Sequence, residues 1–289
     1  MYADYHVHCE YSDDSLTPMQ DQIEAGIEKG LSEICFTDHV DYGIKKDWSE
    51  GNIEYRPSDG VNYGADHREP IANVNYPLFF EELKQNRERY QEKITVKRGL
   101  EFGIQTHTVP KYEALFDTWK DSLDFVLLSM HQVEDKEFWT QEFQTGKTQK
   151  EYNLRYYEEI FRVMKIFRHY SVLAHLDLII RYDRNGVLPF AETEEIIAEI
   201  LKLAIQDGKG IEINTSSWHY GLSDTQPSGK ILALYHDLGG RIITTGSDAH
   251  KPEFVADHFH DAHRILRAAG FTQFCTFDHM EPVFHDLEY

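Results

Sequence analysis

The stretch Ala3-Asp4-Tyr5-His6-Val7-His8 starts the chain of 289 residues and is predicted to be a β-strand that ends in two histidines. Successive strand residues point to opposite faces, so His6 and His8 share one face. A related stretch, Asp248-Ala249-His250, follows the last predicted strand. Imidazole and carboxylate groups at strand ends indicate a metal site. A lone His-x-His pair also occurs as two half-buried strand histidines, so the other strands decide between these interpretations.

Apolar runs of strand length alternate with helix-period segments about seven times along the chain. This alternation predicts an α/β fold in which crossover helices join parallel strands within one sheet or barrel. One helix is predicted from about Tyr152 to Phe167, where apolar residues recur every three or four positions. The predicted strands are Ala3 to His8, Glu33 to His39, Ile94 to Phe102, Phe125 to His131, Val172 to His175, Gly210 to Thr215 and Arg241 to Ser247.

Metal-ligand residues end several of these strands. In barrels of alternating strands and helices, the carboxyl ends of the strands converge on the face that carries active sites. The mixture of imidazole and carboxylate ligands suits zinc, manganese or iron better than calcium or copper. Cys35 lies about 13 Å from the end of its strand and is predicted to be a core thiol. The strand-end residues are Asp38, His39, Glu101, His131 and His175.

Composition limits the classes of partner. The net charge of -21 argues against a nucleic-acid backbone or an anionic membrane as a lasting partner, because like charges repel. Three cysteines without paired spacing predict no disulfide framework and favour a reducing compartment. The first residues have no secretory pattern, and no apolar run approaches 18 residues. We therefore expect a cytoplasmic protein, and the sequence leaves a homo-oligomer open.

Two long polar stretches interrupt the alternation, at about 41–77 and from Gln132 to Lys150. Loops of this length are usually functional or disordered. Both follow ligand-bearing strands, which favours lids over a site, while a surface insertion is equally consistent with the first stretch. His258, His260 and His263 are predicted to be surface residues, because alternate residues of a helix do not share a face.

Seven motifs in order resemble the polymerase and histidinol phosphatase (PHP) family. The resemblance implies a single PHP-type domain over residues 1–289, with a long loop insertion at about 41–77. The implied fold is a distorted (β/α)7 TIM-like barrel with its metal site at the carboxyl ends of the strands. The motifs are His6-Val7-His8 with Asp14, Thr37-Asp38-His39, Gly99-Leu100-Glu101, Ser129-Met130-His131, Ala174-His175-Leu176-Asp177, Glu212-Ile213-Asn214 and Gly246-Ser247-Asp248-Ala249-His250.

The same resemblance implies three divalent metal ions held by three ligand sets. Glu101, Asp248 and His250 would serve the chemistry itself as members of these sets. Many relatives have histidine at the position of Asp14, and Asp13 beside it is a competing ligand. The implied sets are His6, His8, Glu101 and Asp248 for the first ion, Glu101, His131 and His175 for the second, and Asp14, His39 and His250 for the third.

The implied activity is metal-dependent hydrolysis of L-histidinol phosphate, a small phosphate monoester, to L-histidinol and phosphate. Arg181 and Arg155 are candidate phosphate ligands, although a solvated helix arginine is an equally good interpretation of Arg181 and a better one of Arg155. Asn214 and Ser216 are expected either to touch substrate or to bond the nearby backbone. Two alternatives stay open: a PHP phosphoesterase that acts on another ester such as a nucleotide, and a degenerate barrel that only binds.

Overall fold

The strands and helices follow the predicted alternation. The computed structural model describes residues 2–58 and 66–287, and every structural statement below refers to these residues. The strands are β1 (Ala3–Val7), β2 (Glu33–Phe36), β3 (His39–Val40), β4 (Tyr55–Pro57), β5 (Arg68–Pro70), β6 (Thr95–Gly103), β7 (Phe125–Ser129), β8 (Gln132–Val133), β9 (Lys136–Glu137), β10 (Val172–Leu173), β11 (Gly210–Asn214), β12 (Ile243–Gly246), β13 (Gln273–Asp278) and β14 (Glu281–Asp286). The α-helices are α1 (Met19–Glu28), α2 (Tyr76–Tyr90), α3 (Val109–Trp119), α4 (Gln149–Ile166), α5 (Glu194–Gln206), α6 (Ser216–His219), α7 (Gly229–Asp237) and α8 (Phe259–Ala268).

Seven parallel strands form a nearly closed, distorted (β/α)7 barrel, which confirms the predicted fold class. Their order around the wall is β1, β2, β6, β7, β10, β11 and β12, and all seven predicted strands are present. The predicted strand from Glu33 to His39 divides in two, because Thr37 and Asp38 interrupt it. The second piece, β3, pairs with β6 so that His39 lies opposite Glu101.

The barrel closes between its first and last strands. The Thr245 hydroxyl donates to the Ala3 carbonyl at 2.7 Å, at the start of β1. At the other end, the Asp248 amide donates to the His6 carbonyl at 2.7 Å, and the His8 amide donates to Ala249 at 2.9 Å. These backbone bonds hold the two predicted metal-binding stretches side by side, although they are far apart in the sequence.

The core lies inside the barrel and between the barrel and its helices. Strand β7 is buried along its whole length, as expected of a parallel strand covered on both faces. The predicted helix periodicity is also confirmed, since Tyr156, Ile160 and Val163 of α4 are all buried. Each fully buried apolar side chain contributes about 1.5–3 kcal/mol relative to exposure. Cys35 is a buried free thiol in this core, as predicted.

The hairpin of β13 and β14 covers the amino ends of the barrel strands. The Met280 amide donates to the carbonyl of Asp124, which immediately precedes β7, at 2.9 Å. The Tyr5 hydroxyl of β1 contacts the Phe277 carbonyl at 3.0 Å. The hairpin therefore closes this end of the barrel, so a site that is open to solvent has to lie at the carboxyl ends of the strands.

The described parts of the two polar stretches lie over the carboxyl ends of the strands, where both contribute to the lining of a cavity. The first contains the antiparallel pair β4 and β5, in which Arg56 lies opposite Glu69, and its residues 59–65 lie outside the described part of the chain. The second contains the short antiparallel pair of β8 and β9. Both stretches therefore wall the site and do not project from a remote surface.

The prediction for the three C-terminal histidines is wrong at one position. His258 and His260 are exposed, but His263 is buried on the inner face of α8. Its ring packs 4.8 Å from Tyr2 and 5.1 Å from Phe274, measured between ring centroids. The apolar stripe of α8 passes through position 263, so the spacing of the three histidines alone does not predict that this one is buried. No described helix is both long and apolar enough to span a membrane.

Candidate metal centre

Four side chains of the first predicted ligand set converge at the barrel mouth. The Nε2 atom of His6 lies 3.2 Å from Glu101 Oε2 and 3.5 Å from Asp248 Oδ1. The Nε2 atom of His8 lies 3.5 Å and 3.4 Å from the same two oxygens. Two imidazole nitrogens and two carboxylate oxygens thus surround one small volume. Single ligand atoms around one divalent ion have this arrangement.

The other oxygen of Glu101 faces the second predicted set. His131 Nε2 lies 3.1 Å and His175 Nε2 lies 3.0 Å from Glu101 Oε1. Glu101 is fully buried and sits between the two groups. A carboxylate with different imidazoles on its two oxygens is suited to bridge two ions.

The third predicted set also comes together, at the solvent side of the cluster. Asp14 Oδ2 lies 3.1 Å from His250 Nε2 and 3.6 Å from His39 Nε2. Its competitor Asp13 is engaged elsewhere, because its Oδ1 accepts from Lys45 Nζ at 2.6 Å. The structure therefore places Asp14, and not Asp13, beside these two imidazoles.

Local backbone geometry explains how two ligands reach the centre. His175 and Asp248 lie just past β10 and β12, and both have positive φ values, of 21° and 55°. Such conformations are uncommon for residues other than glycine and persist where surrounding contacts enforce them. The Asp248 amide is held by the His6 carbonyl, which turns the carboxylate back into the barrel mouth.

A second layer of acceptors orients the imidazole rings. Glu212 Oε1 lies 2.7 Å from His6 Nδ1, and Asp41 Oδ1 lies 2.7 Å from His131 Nδ1. An ionised carboxylate only accepts hydrogen bonds, so each Nδ1 carries a proton, and Nε2 is the nitrogen whose lone pair faces the centre once the ring is neutral. The Asp248 carbonyl has the same effect on His250 Nδ1 at 3.0 Å.

Sequence reasoning missed these orienting roles. Glu212 was quoted only as part of a motif, and its Oε2 additionally accepts from the His175 amide at 2.9 Å. Its position two residues before Asn214, at the end of a buried strand, was the available indication. Asp41 gave no such indication, because the first long loop brings it to His131. Ser12 is a third case, with its Oγ 3.0 Å from His8 Nδ1.

The pKa values of the carboxylates and imidazoles in the cluster depend on one another. Burial alone would raise the pKa of Glu101, but the imidazoles of His6, His131 and His39 hold it well below its usual value. Burial lowers the pKa of His8, and the neighbouring His250 and His39 rings reinforce that effect. The carboxylate therefore stays ionised and His8 stays neutral, which are the protonation states that ligate metals.

The residues present fit a metal cluster on an independent observation. Several inward-facing polar atoms are buried and have no hydrogen-bond partner among the described residues. Buried polar atoms without partners are costly and call for a specific explanation, such as a role in binding an ion. A divalent ion satisfies lone pairs of this kind. The atoms are His6 Nε2, His8 Nε2, His39 Nδ1 and Glu101 Oε2.

Arg181 lies beside the cluster, as predicted for a phosphate ligand. Its side chain is only 6% exposed, and its Nη2 lies 3.4 Å from Asp248 Oδ2. The guanidinium also stacks 3.9 Å from the centroid of the Tyr220 ring. A nearly buried guanidinium at the edge of a metal cluster is well placed for a phosphoryl oxygen.

The other predicted substrate contacts have different positions. Ser216 accepts from Arg181 Nη2 at 2.7 Å and donates to Asn214 Oδ1 at 2.6 Å, so both residues support Arg181 from behind. Arg155 lies on α4, where it pairs with Glu159 at 2.8 Å and Glu134 at 3.3 Å. It is not among the residues that line the cavity over the cluster. The structure brings Arg181 to the site and leaves Arg155 outside it.

A cavity of about 100 Å³ opens over the cluster between Arg181 and the two long loops. The first loop supplies Lys45, Arg56 and Glu69 to its lining, and the second supplies Glu137 and Trp139. None of these five residues was named from the sequence. Their position shows that the interruptions in the barrel pattern wall the site.

Comparisons with known proteins agree with this architecture. The family model described as "PHP domain" matches residues 4–216. A histidinol-phosphatase of Lactococcus lactis subsp. lactis is 30% identical over 281 residues, covering 96% of this chain and 95% of that protein. A Thermotoga maritima protein named "Probable histidinol-phosphatase" is 25% identical over 268 residues, covering 93% of this chain and 92% of that protein.

A solved structure from Lactococcus lactis subsp. lactis superposes with a TM-score of 0.79 at 29% identity, covering 98% of both chains. That protein is histidinol phosphate phosphatase, complexed with zinc, L-histidinol and phosphate. The family match covers more than half of this chain, and the superposition shows the same barrel fold. The chain belongs to the PHP family.

Proposed function

We propose that this protein is a metal-dependent phosphomonoesterase that hydrolyses L-histidinol phosphate to L-histidinol and phosphate. The observation that carries the proposal is the meeting of the three predicted ligand sets at the barrel mouth, two of them joined by Glu101, with Arg181 at their edge. The similarity to the Lactococcus enzyme over nearly the whole chain supports this substrate.

Three divalent ions would be held by the three ligand sets, and zinc, manganese or iron suits such ligands. Zinc is present in the related Lactococcus structure. Three divalent cations and the carboxylates of Asp14, Glu101 and Asp248 would leave a formal charge of about +3. A phosphate dianion would then be attracted to this one point of an otherwise acidic protein, whose net charge is -21.

The residues of the chain have separable roles in this chemistry. Bound divalent ions supply Lewis acidity, which polarises the phosphoryl group and makes water more acidic. Glu101 and Asp248 would fix the positions of the inner ions, and His250 and Asp14 would bind the ion on the solvent side. Arg181 binds phosphoryl oxygens and stabilises their charge as the ester bond breaks. The two loops exclude bulk water from the small cavity.

The main alternative is a PHP phosphoesterase that acts on another ester, such as a nucleotide. The acidic loop residues around the cavity disfavour a second phosphate or a polynucleotide. A degenerate barrel that only binds is the other alternative. Each predicted ligand position holds a competent side chain that faces the cluster, which favours a working centre.

Two measurements test the proposal together. Elemental analysis of protein purified without chelators should give about three equivalents of metal per chain, as the three ligand sets predict. Phosphate release should then be assayed with L-histidinol phosphate, nucleoside monophosphates and a short oligonucleotide, each with and without chelator. We expect chelator-sensitive turnover that is fastest with L-histidinol phosphate.

Faster turnover of a nucleotide would reverse the substrate assignment but keep the phosphoesterase chemistry. A metal content near zero, combined with no turnover after reconstitution with zinc or manganese, would favour the degenerate barrel. Glu134→Gln is a control, because Glu134 is exposed and lies outside the cavity. Its metal content and its phosphate release should equal those of the wild type.

A further inference from the structure

One amide side chain holds the guanidinium of Arg181 along a single edge. The Gln226 amide oxygen accepts from Arg181 Nε at 3.2 Å and from Arg181 Nη2 at 3.0 Å. The contacts of the guanidinium with Ser216 and Asp248 also use Nη2. Among residues 2–58 and 66–287, Nη1 has no hydrogen-bond acceptor. Gln226 therefore occupies the Nε and Nη2 edge and leaves Nη1 for a ligand.

Gln226 is itself fixed on all sides. Its side chain is fully buried, and its Nε2 donates to the Asp177 carbonyl at 3.2 Å. Its backbone amide donates to the Asn214 carbonyl at 3.1 Å and its carbonyl accepts from the Asn214 amide at 2.7 Å, which ties it to the end of β11. Because the side-chain amide donates at one end and accepts at the other, its bonds fix which end faces Arg181. Arg181 thus rests on a rigid support.

The neutrality of this support matters for phosphate binding. Arg181 is nearly buried, so solvent screens its charge little. A carboxylate at position 226 would form an ion pair with the guanidinium and compete with a phosphate dianion, whereas an amide holds the guanidinium without an opposing charge. Asp248, whose Oδ2 lies 3.4 Å from Nη2, is a predicted metal ligand, so its charge would be shared with an ion. Gln226 therefore orients Arg181 and preserves its positive charge.

We propose that Gln226 is a positioning residue, which holds Arg181 by its Nε and Nη2 edge so that Nη1 is presented to a phosphoryl oxygen. Gln226 acts only through Arg181 and does not touch the substrate. This proposal rests on the proposed phosphatase function of the same cavity and adds a residue on which its affinity for phosphate depends. The sequence alone did not indicate it, because Gln226 is 45 residues from Arg181 and meets it only in the folded barrel.

The test is a double-mutant cycle of Gln226→Met and Arg181→Ala in the metal-loaded enzyme. Methionine is similar in length to glutamine but has no amide to bind the guanidinium. We expect Gln226→Met to raise KM for L-histidinol phosphate and Ki for inorganic phosphate about tenfold, with kcat and metal content little changed, because Arg181 is no longer held in its binding orientation. Added to Arg181→Ala, the same substitution should change either constant by less than about twofold.

Gln144→Met is the matched control, because Gln144 is also buried and its amide also donates to a backbone carbonyl, that of Phe138 at 3.0 Å, but it does not line the cavity. Its KM and Ki should equal those of the wild type. If Gln226→Met causes the same loss with and without Arg181, the proposal is overturned, since Gln226 would then support the fold and not Arg181. Wild-type constants in Gln226→Met would overturn it as well.

A second variant protects the test against misfolding of the first. Gln226→Glu keeps the size and an acceptor for Arg181 but adds a competing charge, so Ki for phosphate should rise about tenfold, and only when Arg181 is present. A wild-type Ki would contradict the proposal.

Failure of the proposed function would be distinct, because the wild type would then release no phosphate from L-histidinol phosphate. In that case, calorimetric titration of the metal-loaded proteins with inorganic phosphate decides. Weaker binding by Gln226→Met than by the wild type supports the positioning role, and equal binding contradicts it.

Discussion

At the scale of single residues, the centre depends on imidazole rings whose orientation is fixed by hydrogen bonds from behind. Glu212 and Asp41 fix the proton on the far nitrogen of His6 and His131, so the near nitrogens face the cluster. Outer partners of this kind usually change metal affinity 10- to 100-fold when they are removed. Among the ligands, Glu101 is the one that connects most of the cluster, since imidazoles from four strand ends contact its two oxygens.

Replacement of Glu101 should therefore remove metal and activity together. We expect Glu101→Gln to lower bound metal below the wild-type content and to lower kcat/KM by more than about a hundredfold, because glutamine offers no bridging carboxylate. Elemental analysis and phosphate release check the two effects. Arg181→Ala is the contrast and should raise KM about tenfold with metal content intact. Full metal retention by Glu101→Gln would argue against the bridge.

Protonation of His131 predicts how metal affinity depends on pH. Burial lowers the pKa of His131, but Asp41 and Glu101 raise it to about 9 in the metal-free protein. Below that pH the imidazole must release a proton before it can ligate, so the contribution of His131 to apparent metal affinity should rise with pH, by about tenfold per unit, and level off near pH 9. The raised pKa values of His6 and His39 extend the overall rise in the same direction. Calorimetry in buffers of different ionisation enthalpy measures the proton release.

Asp41→Asn removes the main charge that raises this pKa, so the same curve should level off at a lower pH. Identical pH curves for the wild type and Asp41→Asn would contradict the role assigned to Asp41. Asp41 also pairs with Lys45, so circular dichroism should first confirm that the variant is folded.

At the scale of the elements, the sequence predicts the strands, the helices and the ligands at the strand ends, because each of these has a local sequence pattern. Each barrel strand is an apolar run with a polar end, and His6, His131 and Asp248 were found as ligand candidates because strand ends converge in such folds. The loop residues could not be found in this way, since Arg56 and Glu137 meet only through tertiary contacts. Arg155 was misplaced for the same reason, because helix position alone does not tell where a long side chain pairs.

Close approach of β11, β12 and β1 gives a prediction about Gly246. A methyl group at this position would lie 2.0 Å from Glu212 Oε1 and 2.5 Å from His6 Cβ, so both side chains would have to move. We expect Gly246→Ala to weaken metal binding about 10- to 100-fold through displacement of Glu212. Metal titration of the apo protein measures the change.

Gly229→Ala is the matched control, because the nearest atom to its added methyl group is 3.8 Å away. It lies in the first turn of α7 and should leave metal affinity unchanged, with stability equal or slightly increased. Wild-type metal affinity in Gly246→Ala would show that the strands can separate without disturbing the centre.

At the scale of the whole molecule, the centre joins residues from nearly every barrel strand. The ligands come from the ends of β1, β3, β6, β7, β10 and β12 or from the turns that follow them. Some of the inner atoms, such as His6 Nε2, His8 Nε2 and Glu101 Oε2, are buried and have no hydrogen-bond partner among the described residues. Metal binding should therefore stabilise the complete barrel, and not a single segment.

Removal of the ions should lower the melting temperature. An ion present at 100 times its dissociation constant adds about 2.7 kcal/mol to stability, which corresponds to roughly 5–10 °C for a chain of this size. Differential scanning calorimetry with added zinc and with chelator measures the difference. The Glu101→Gln variant should show a much smaller shift. Equal melting temperatures of the wild type under both conditions would mean that the centre contributes nothing to folding.

The seam between β1 and β12 has a consequence for biosynthesis. His6 and His8 are synthesised early, whereas Asp248 and His250 follow only about 240 residues later. Synthesis proceeds at about 5–20 residues per second, so the early histidines wait for many seconds before their carboxylate partner arrives. A nascent chain is therefore expected to acquire its full complement of ions only after Asp248 and His250 have been synthesised.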